Sequence, residues 1–323
     1  MSAPRHVVFG TGTIGAALID QLVERELPVR AVNRTGRAAV PTGVEVVGGD
    51  ASDPAFTTDV AQGAAAVYQV VNPGYHQWPQ KFPPLQRAIV AAAQSSGARL
   101  VSFENVYMYG DTGGRPITED LPYAATTRKG RVRGAMAQEL AELQRKGAVQ
   151  LATARASDYF GPWATSQSPL GDRVIGAALA GKPAQVIGDP DQPHSYTFTR
   201  DAAKVLATLG TDPRAIGEVW HVPNAPARPT RELIAMIAAE LQREIKVRAA
   251  PRLLLRLIGV VDPQVRELPE MLYEFTQPFI VDGAKFERTF GFGATSFTES
   301  IPATVTWWRG HMDEPSSTHA DGR

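Results

Sequence analysis

A glycine-rich turn near the amino terminus constrains the fold more than any other feature of this sequence. Residues 10–15 read Gly-Thr-Gly-Thr-Ile-Gly, between the apolar run His6–Gly10 and the amphipathic stretch Thr13–Glu26. In such a strand–turn–helix unit the first glycine permits a tight turn, the second lets the backbone approach a pyrophosphate, and the third lets the helix pack on the strand. Amides at the helix N-terminus then hold the anion. The turn predicts a dinucleotide site that includes Gly10, Gly12, Thr13, Ile14 and Gly15.

Short apolar runs alternate with helical patterns through the first half of the chain. The predicted strands are His6–Gly10, Pro28–Asn33, Val44–Val47, Ala65–Val71, Arg99–Phe103 and Val149–Arg155, and the predicted helices are Thr13–Glu26, Asp53–Gln62, Gln80–Ser96 and Arg131–Lys146. Runs that are apolar on both faces are typical of buried parallel strands. The alternation predicts an α/β fold with a Rossmann-type, doubly wound parallel sheet.

Proline and glycine become more frequent after residue 156, and the predicted elements become shorter. Helices are expected at Asp172–Ala180, Arg200–Leu209, Pro229–Arg243, Pro263–Phe275 and Glu299–Gly310, and strands at Ala184–Val186, Tyr196–Phe198, Val219–His221 and Ile245–Arg248. We predict an NAD(P)-binding domain over residues 1–156 and a smaller mixed substrate lobe over 157–310. Some elements of the lobe return to the sheet, and residues 311–323 form a disordered tail.

Composition argues against several classes of protein. The 33 Lys and Arg residues balance 33 Asp and Glu residues, so a nucleic-acid partner is not expected. There is no cysteine, which excludes disulfides and thiol chemistry, and no two histidines have metal-ligand spacing, so no metal is expected. No apolar run is long enough to span a bilayer, and no signal-peptide core fits before the glycine turn. We expect a soluble cytoplasmic protein that acts on a small molecule and has no membrane partner.

The residues after the second predicted strand bear on which dinucleotide binds. The strand ends in Asn33-Arg34-Thr35-Gly36-Arg37 and lacks the acid that holds the ribose hydroxyls in NAD sites. Arg34 and Arg37 are able to form charge-assisted hydrogen bonds to a 2′-phosphate. A solvated basic turn is the alternative interpretation. We predict NADP as the cofactor, with NAD less favoured, and Asn33, Arg34 and Arg37 as contacts.

Five further stretches resemble the extended short-chain dehydrogenase/reductase superfamily, in its NAD(P)-dependent epimerase/dehydratase-like branch. They are Gly49-Asp50, Val70-Val71-Asn72-Pro73, the sequence Asn-Val-Tyr-Met-Tyr-Gly at 105–110, and residues 155–162 and 198–203. The resemblance covers about residues 5–310 and implies an NAD(P)-dependent oxidoreductase. It implies that Asp50, with Ala51 beside it, contacts the adenine, and that Val71 and Asn72 line the nicotinamide ribose. It also implies a possible homodimer through the helix Arg131–Lys146.

The sequence departs from this superfamily at the catalytic Tyr-x-x-x-Lys pair, since no lysine has a tyrosine four residues before it. In the superfamily the tyrosine is the general acid or base, and the lysine lowers its pKa. Taking Glu139 as the anchor for register places Arg131 at the tyrosine position and Ala135 at the lysine position. Counting back from Gly110 places Asn105 at the Ser/Thr position.

Several residues are candidates for the missing proton-transfer chemistry. Tyr107 or Tyr109 could supply a phenol, and Tyr159 or Asp158 could act from the lobe side. Asn105 could orient a substrate oxygen. Arg131 cannot shuttle a proton but could stabilise an oxyanion. Packing is the alternative role for each tyrosine, and the predicted catalytic set is Asn105, Tyr107, Arg131 and Tyr159.

The predicted substrate pocket is rich in aromatic residues. Ligands of this architecture bind at the carboxyl ends of the parallel strands. The residues expected there are Tyr75, Trp78, Trp163, His194 and Tyr196, unless some of them fill the core between the domains. We predict an NADP-dependent oxidoreductase with a non-standard catalytic site, acting on a small aromatic or cyclic metabolite. The alternatives are a catalytically silent NADP(H)-binding sensor or scaffold, and a redox-neutral isomerase or lyase on the same fold.

Overall fold

The computed structural model describes residues 4–250 and 269–313. Its first half alternates strands and helices in the predicted order. The elements are β1 (Arg5–Phe9), α1 (Thr13–Glu24), β2 (Val29–Asn33), β3 (Glu45–Gly48), α2 (Pro54–Val60), β4 (Ala64–Gln69), α3 (Trp78–Ser96), β5 (Arg99–Asn105), α4 (Arg128–Arg145) and β6 (Leu151–Ala156). Every element predicted for this half is present, with ends that differ by at most three residues.

The second half contains shorter elements and one strand that returns to the main sheet. The strands are β7 (Asp158–Phe160), β8 (Ala184–Ile187), β9 (Pro193–His194), β10 (Tyr196–Phe198), β11 (Val219–His221), β12 (Arg228–Pro229) and β13 (Val247–Ala250). The helices are α5 (Ala177–Leu179), α6 (Thr199–Thr211), α7 (Thr230–Leu241), α8 (Ala284–Phe290) and α9 (Phe297–Asp313). In the described part of the chain, no helix is long and apolar enough to cross a membrane.

The central sheet has seven strands within the described residues, in the order β11-β6-β5-β4-β1-β2-β3. Every neighbouring pair is parallel. This arrangement confirms the predicted Rossmann-type, doubly wound sheet. The strand order reverses between β1 and β4, and the carboxyl ends of strands at such a reversal form the crevice in which ligands bind.

Both faces of the sheet are covered over its central strands, which explains why these strands are mostly apolar. Side chains alternate between the two faces of a strand. Val8 of β1 packs in the cluster that contains Leu18 of α1 and Leu206 of α6. Its neighbour Val7 packs in the cluster that contains Ile89 of α3. All five side chains are almost fully buried.

A second apolar cluster lies beyond the sheet. It joins side chains of β8, β10, α7 and α9, with Leu233, Val305 and Trp308 among its most buried members. The short strands pair as β7 with β10, β8 with β13 and β9 with β12. β11 pairs with β6 of the main sheet instead. The division of the chain near residue 156 stays a prediction.

Three predictions for the second half are wrong in detail. Residues Gly171–Gly176 form a π-helix ahead of α5, so the segment predicted as the helix Asp172–Ala180 is not regular. The strand predicted from Ile245 begins at Val247, where pairing with β8 begins. α9 continues through His311, whose ring stacks on Trp307, so the predicted tail begins later than expected.

Two other predictions fall partly outside the described residues. Of the predicted helix Pro263–Phe275, residues 263–268 lie outside, and Pro269–Phe275 forms a 3-10 helix. Of the predicted tail, residues 314–323 lie outside.

Candidate active site

The glycine turn has the geometry of a pyrophosphate cradle. Gly10 has a φ of +108°, and a Cβ on Gly15 would lie 2.0 Å from the carbonyl oxygen of Gly10, so both positions need glycine. A Cβ on Gly12 would meet nothing within 4 Å. Gly12 is the N-cap of α1, and no side chain caps the helix. Open space therefore adjoins uncapped helix amides where an anionic group of a dinucleotide fits.

Asn33 shapes the turn that follows β2. Its Nδ2 donates to Thr11 Oγ1 and to the carbonyl oxygen of Arg37, both at 2.9 Å. Its Oδ1 accepts from the amides of Thr35 and Gly36, at 3.1 and 2.8 Å. Both polar atoms of the side-chain amide are thus engaged within the turn, and a contact of Asn33 with the cofactor stays a prediction.

Arg34 and Arg37 project from this turn into solvent. Within residues 4–250 and 269–313, neither guanidinium forms a hydrogen bond or an ion pair. Gly36, at a φ of +67°, packs against the backbone of Gly48 at the end of β3. The turn is thus held by its own backbone while its two cations stay available to an anionic ligand.

The other predicted cofactor residues surround the same edge of the sheet. Asp50 is exposed, and hydrogen bonds from the amide and hydroxyl of Ser52 lower the pKa of its carboxyl. Ala51 packs partly against the apolar cluster beneath it. Val71 follows β4 beside Gly10, and Asn72 is exposed. Their contacts with a cofactor stay predictions.

Helix α4 presents a different face from the one predicted. Lys129 and Arg133, four residues apart, are each 2% exposed, whereas Arg131 and Ala135 face solvent. Residues i and i+4 share one side of a helix, so Lys129 and Arg133 face inward together. The predicted register, which placed Arg131 and Ala135 at the catalytic positions, puts solvent-facing residues there. Glu139, which served as the anchor, is itself partly exposed and pairs with Arg87 at 3.6 Å.

Arg133 is a buried cation that sequence analysis missed. Its guanidinium lies over the rings of Phe82 and Trp78, at 4.8 and 5.9 Å from the ring centroids. Its Nε and Nη1 are buried and have no hydrogen-bond partner in the part of the chain that the structure describes. The sequence gives no sign that this arginine is buried, because charged residues on a helix usually face solvent.

Two phenols meet at the carboxyl ends of neighbouring strands. Tyr75 follows β4, Tyr107 follows β5, and their hydroxyl oxygens lie 3.0 Å apart. One phenol donates to the other, so the accepting phenol keeps an O–H that has no acceptor among the described residues. Burial raises the pKa of both phenols, which therefore remain protonated at neutral pH. Trp78 is 1% exposed and packs beside both rings.

Asp158 and His194 form a second polar pair near these phenols. Nε2 of His194 lies 3.1 Å from Oδ2 of Asp158, and Nδ1 lies 3.1 Å from the carbonyl oxygen of Glu274. Because a carbonyl oxygen only accepts, Nδ1 donates to it. The imidazole stacks between Phe275 and Phe279. His194 thus contacts the predicted site through Asp158.

A buried carboxyl and a buried ammonium complete the cluster. Glu274 is 1% exposed, and its Oε1 has no hydrogen-bond partner among the described residues. Lys129 Nζ donates to Glu270 Oε1 at 2.6 Å and lies 5.3 Å from the ring centroid of Tyr75. Neither Glu274 nor Lys129 belongs to a motif, and only the tertiary fold reveals them as members of the site.

The remaining predicted site residues fall in several places. Asn105 Oδ1 accepts from the amide of Tyr107 at 3.3 Å and so shapes the turn that carries this tyrosine. The Tyr159 phenol donates to Gln167, and burial raises its pKa to about 12. The Trp163 carbonyl accepts from Thr13 Oγ1 at 2.9 Å, which links this residue to the glycine turn.

Tyr196 is packed in the interior of the protein. It is 1% exposed, and its hydroxyl lies 2.7 Å from Thr230 Oγ1 within the second apolar cluster. This burial favours the packing alternative, and a contact of Tyr196 with substrate stays a prediction.

Tyr109 belongs to a buried polar chain behind the site. Arg155 pairs with Glu104 at 3.0 Å and donates to the Tyr109 hydroxyl at 2.6 Å. That hydroxyl lies 2.9 Å from His221 Nε2, and His221 Nδ1 lies 3.1 Å from the carbonyl oxygen of Asp282. Arg155 donates to the Tyr109 oxygen, and His221 Nδ1 donates to the Asp282 carbonyl. The remaining hydrogen bond therefore runs from the Tyr109 hydroxyl to His221 Nε2. The Tyr109 phenol is committed to this network.

Comparison with known proteins identifies the family. The model of the NAD dependent epimerase/dehydratase family matches residues 7–222. A dTDP-glucose 4,6-dehydratase of Xanthomonas campestris is 25% identical over 311 residues, which cover 93% of this chain and 78% of the relative. The chain belongs to the NAD dependent epimerase/dehydratase family, which confirms the predicted NAD(P)-dependent enzyme of the extended short-chain dehydrogenase/reductase type.

Solved structures show the same fold. A UDP-N-acetylglucosamine 4-epimerase of Methanobrevibacter ruminantium superposes with a TM-score of 0.78 at 15% identity, over 97% of this chain and 100% of that one. A dTDP-glucose 4,6-dehydratase of Streptomyces venezuelae, determined with NAD bound, has a TM-score of 0.75 at 17% identity, over 94% and 97%.

Proposed function

We propose that this chain is an NADP(H)-dependent oxidoreductase that acts on a small cyclic metabolite at the carboxyl ends of β4, β5 and β6. One observation carries the choice of cofactor. The Asn33 amide holds the turn after β2, and Arg34 and Arg37 project from that turn without a hydrogen bond or ion pair among the described residues. The pyrophosphate of the dinucleotide fits beside Gly12, and its 2′-phosphate fits between the two arginines. NAD, which lacks this phosphate, gains nothing from them.

The residues at the strand ends supply what a carbonyl or alcohol reaction needs besides hydride. When bound, the nicotinamide supplies or accepts the hydride. Tyr107 and Tyr75 offer one free phenolic proton to a substrate oxygen. The side chain of Asn105 holds the amide of Tyr107, and thereby the position of its phenol. The mostly buried aromatic surroundings exclude water and favour the face of a ring.

The substrate class follows from the site and the relatives together. The relatives named above are a dehydratase of dTDP-glucose and an epimerase of UDP-N-acetylglucosamine, whose substrates are rings attached to nucleoside diphosphates. Tyr75 and Trp78 beside the phenol pair provide stacking surfaces for a ring without requiring that it be aromatic. Sugar nucleotides and aromatic carbonyl compounds are the first substrates to test.

The cofactor is tested by titration with NADPH and NADH, followed by nicotinamide fluorescence. Losing one charged hydrogen bond costs about 1.5–3 kcal/mol, so Arg34→Ala should weaken NADPH binding about ten- to hundredfold. NADH binding should not change. Arg288→Ala removes another exposed arginine, on α8, and serves as the control. Equal binding of the two nucleotides, or no effect of Arg34→Ala, would overturn the NADP preference.

Turnover separates this proposal from its alternatives. NADPH consumption with any carbonyl, imine or enone in a broad panel supports the oxidoreductase. Tight NADPH binding without turnover supports a silent sensor or scaffold, and the missing Tyr-x-x-x-Lys pair is the observation that favours it. Failure to bind either nucleotide supports a redox-neutral isomerase or lyase. A homodimer through α4 and a cytoplasmic location stay predictions, and light scattering at micromolar concentration tests the first.

A further inference from the structure

The 3-10 helix Pro269–Phe275, which we call the strap, covers the phenol pair at the strand ends. Met271 is buried in the same apolar cluster as Trp78 and Tyr107, and Tyr273 packs against that cluster. In this arrangement Tyr107 is 7% exposed. A substrate therefore reaches the Tyr107 hydroxyl only if part of this cover moves.

The carboxyl-terminal end of the strap is fixed to the residues around β9 by close backbone contacts. The carbonyl oxygen of Phe275 accepts from the amide of Asp189 at 2.7 Å, and the carbonyl oxygen of Glu274 lies 3.1 Å from His194 Nδ1. The Phe275 ring also stacks on the His194 imidazole, with ring centroids 5.0 Å apart. A Cβ on Gly188 would lie 2.4 Å from the Phe275 carbonyl oxygen, so this packing is tight. The strap is therefore firmly anchored at this end.

The amino-terminal end of the strap is held to α4 by a single side chain. Within the described residues, every hydrogen bond between the strap and α4 is made by the Glu270 carboxylate. It accepts from the amides of Arg128 and Lys129, at 3.1 and 3.3 Å, and from the Lys129 ammonium at 2.6 Å. A carboxylate at a helix N-terminus is stabilised by such charge-assisted bonds. The Glu270 side chain is 25% exposed, so water is able to replace these bonds when the strap moves.

The two ends of the strap adjoin the two polar pairs of the site. The Lys129 ammonium, which Glu270 contacts, lies 5.3 Å from the ring centroid of Tyr75. His194, which the other end contacts, pairs with Asp158 at 3.1 Å. The strap therefore crosses the candidate site, and a movement of its amino-terminal end away from α4 uncovers the phenol pair first.

We propose that the strap is a lid over the substrate site, anchored at Phe275 and latched to α4 by Glu270, which opens to admit the substrate and closes for the reaction. This inference rests on the proposed function. Opening breaks the Glu270 contacts and lifts Met271 out of its apolar cluster, whereas the contacts of Phe275 persist. Closure excludes water from the phenol pair during hydride transfer, a role that lids have in many enzymes.

The rate of thiol labelling measures opening without substrate or cofactor. The chain has no cysteine, so Met271→Cys introduces a single thiol beneath the closed strap. Ala93→Cys places a thiol on α3, in the apolar cluster against the sheet, and reports opening of the whole fold. We expect Met271→Cys to react with a maleimide about tenfold faster or more, because local opening is more frequent than global unfolding. Equal rates would overturn the inference, since only global unfolding would then expose the strap.

Glu270→Gln tests the latch. The amide keeps the shape of the side chain but lacks its charge, and loss of a charged hydrogen bond changes an equilibrium constant about ten- to hundredfold. Labelling of Met271→Cys should rise by about that factor in the Glu270→Gln background, and labelling of Ala93→Cys should not. Glu232→Gln, which breaks an exposed pair with Arg228, is the matched control and should change neither rate. An unchanged rate at Met271→Cys, or an equal rise at both thiols, would overturn the inference.

A covalent tether tests the need for opening once the panel has yielded a substrate. Glu270 Oε2 lies 3.1 Å from the amide of Arg128, so a short bismaleimide joins the strap to α4 in the double variant Glu270→Cys, Arg128→Cys. The cross-linked protein should still bind NADPH at the glycine turn. Its kcat/KM should fall about tenfold or more below that of the same variant before cross-linking.

The outcomes separate the lid from the proposed function. Undiminished kcat/KM after cross-linking would overturn the lid, because the substrate would then reach the site with the strap closed. Failure of the natural chain to bind NADPH or to turn over any substrate would instead overturn the proposed function. The labelling rates need neither cofactor nor substrate, so they distinguish the two failures.

Discussion

The hydroxyl oxygens of Tyr75 and Tyr107 lie 3.0 Å apart, although the two residues follow different strands of the sheet. β4 and β5 are parallel neighbours, so the turns that leave their carboxyl ends meet at the same edge. Their contact lies at the centre of the candidate site. In the proposed function this pair supplies the phenolic proton.

Removal of one phenol should reduce turnover without affecting the cofactor. In Tyr107→Phe the substrate oxygen loses its proton donor, and proton transfer by a positioned group contributes about a hundredfold or more to a rate. We expect kcat for the best panel substrate to fall by about that factor while the NADPH dissociation constant is unchanged.

Tyr196→Phe is the matched control for that variant. It also removes one buried hydroxyl, but this hydroxyl bonds to Thr230 in the second apolar cluster. We expect unchanged kcat and a loss of about 1 kcal/mol in the free energy of unfolding. A catalytic defect of similar size in both variants would show that the Tyr107 effect is structural.

Two glycines of the same turn should respond in opposite ways to an added side chain. Gly12→Val places its side chain in open space, at a φ of −74° that suits any residue, so the fold should tolerate it. The valine would occupy the space of the pyrophosphate, and NADPH binding should be lost. Calorimetry and fluorescence titration measure the two effects.

Gly15→Ala should damage the fold instead. Its Cβ would lie 2.0 Å from the carbonyl oxygen of Gly10, so α1 would have to move away from β1. Overpacking of this kind costs about 1–3 kcal/mol. Strong NADPH binding by Gly12→Val, or a stable Gly15→Ala, would contradict the assignment of the cradle.

The buried ion pair between Glu104 and Arg155 should be costly to break from one side. Both side chains are at most 2% exposed. Glu104→Gln leaves a buried guanidinium without its counter-charge, which costs about 3–5 kcal/mol in comparable cases. Denaturant unfolding should show this loss. Glu232→Gln, which breaks the exposed pair with Arg228, should change stability by less than about 1 kcal/mol.

His221 should make the protein sensitive to mild acid. Burial, reinforced by Arg155, lowers the pKa of its imidazole to about 3. Since the folded pKa lies below the unfolded value of about 6.5, this group's contribution to stability is present above that value and is lost as the pH falls from 6.5 toward 3. At pH 5 the loss should reach about 2 kcal/mol.

Chemical unfolding of the natural chain and of His221→Gln between pH 7 and pH 4 measures this effect. The variant should show a shallower fall in the free energy of unfolding over that range. His6, whose pKa burial lowers to about 4, should contribute a second fall of the same sign in both proteins. Identical slopes in the natural chain and the variant would exclude His221 as a source of acid sensitivity.

The sequence by itself determined the parts of the molecule that depend on local order. Strand, turn and helix follow one another closely at residues 5–24, so the glycine pattern and the apolar periodicity together specify the first βα unit and predict the parallel sheet. The basic turn at Arg34 and Arg37 was predicted in the same way, because it adjoins a strand whose end is fixed by local pattern.

Only the tertiary structure decided which polar groups meet at the strand ends. The inward face of α4 depends on how the helix packs, so spacing alone placed Arg131 where Lys129 and Arg133 lie. Glu274 lies about 145 residues from Lys129, and an acid in a helical pattern carries no mark of burial. Tyr196 and His194 lie two residues apart and their rings are 4.5 Å apart, yet one bonds to Thr230 and the other to Asp158, because β10 and β9 pair with different strands. Burial shifts the pKa of these groups, and burial depends on long-range packing. Local sequence patterns therefore do not predict it.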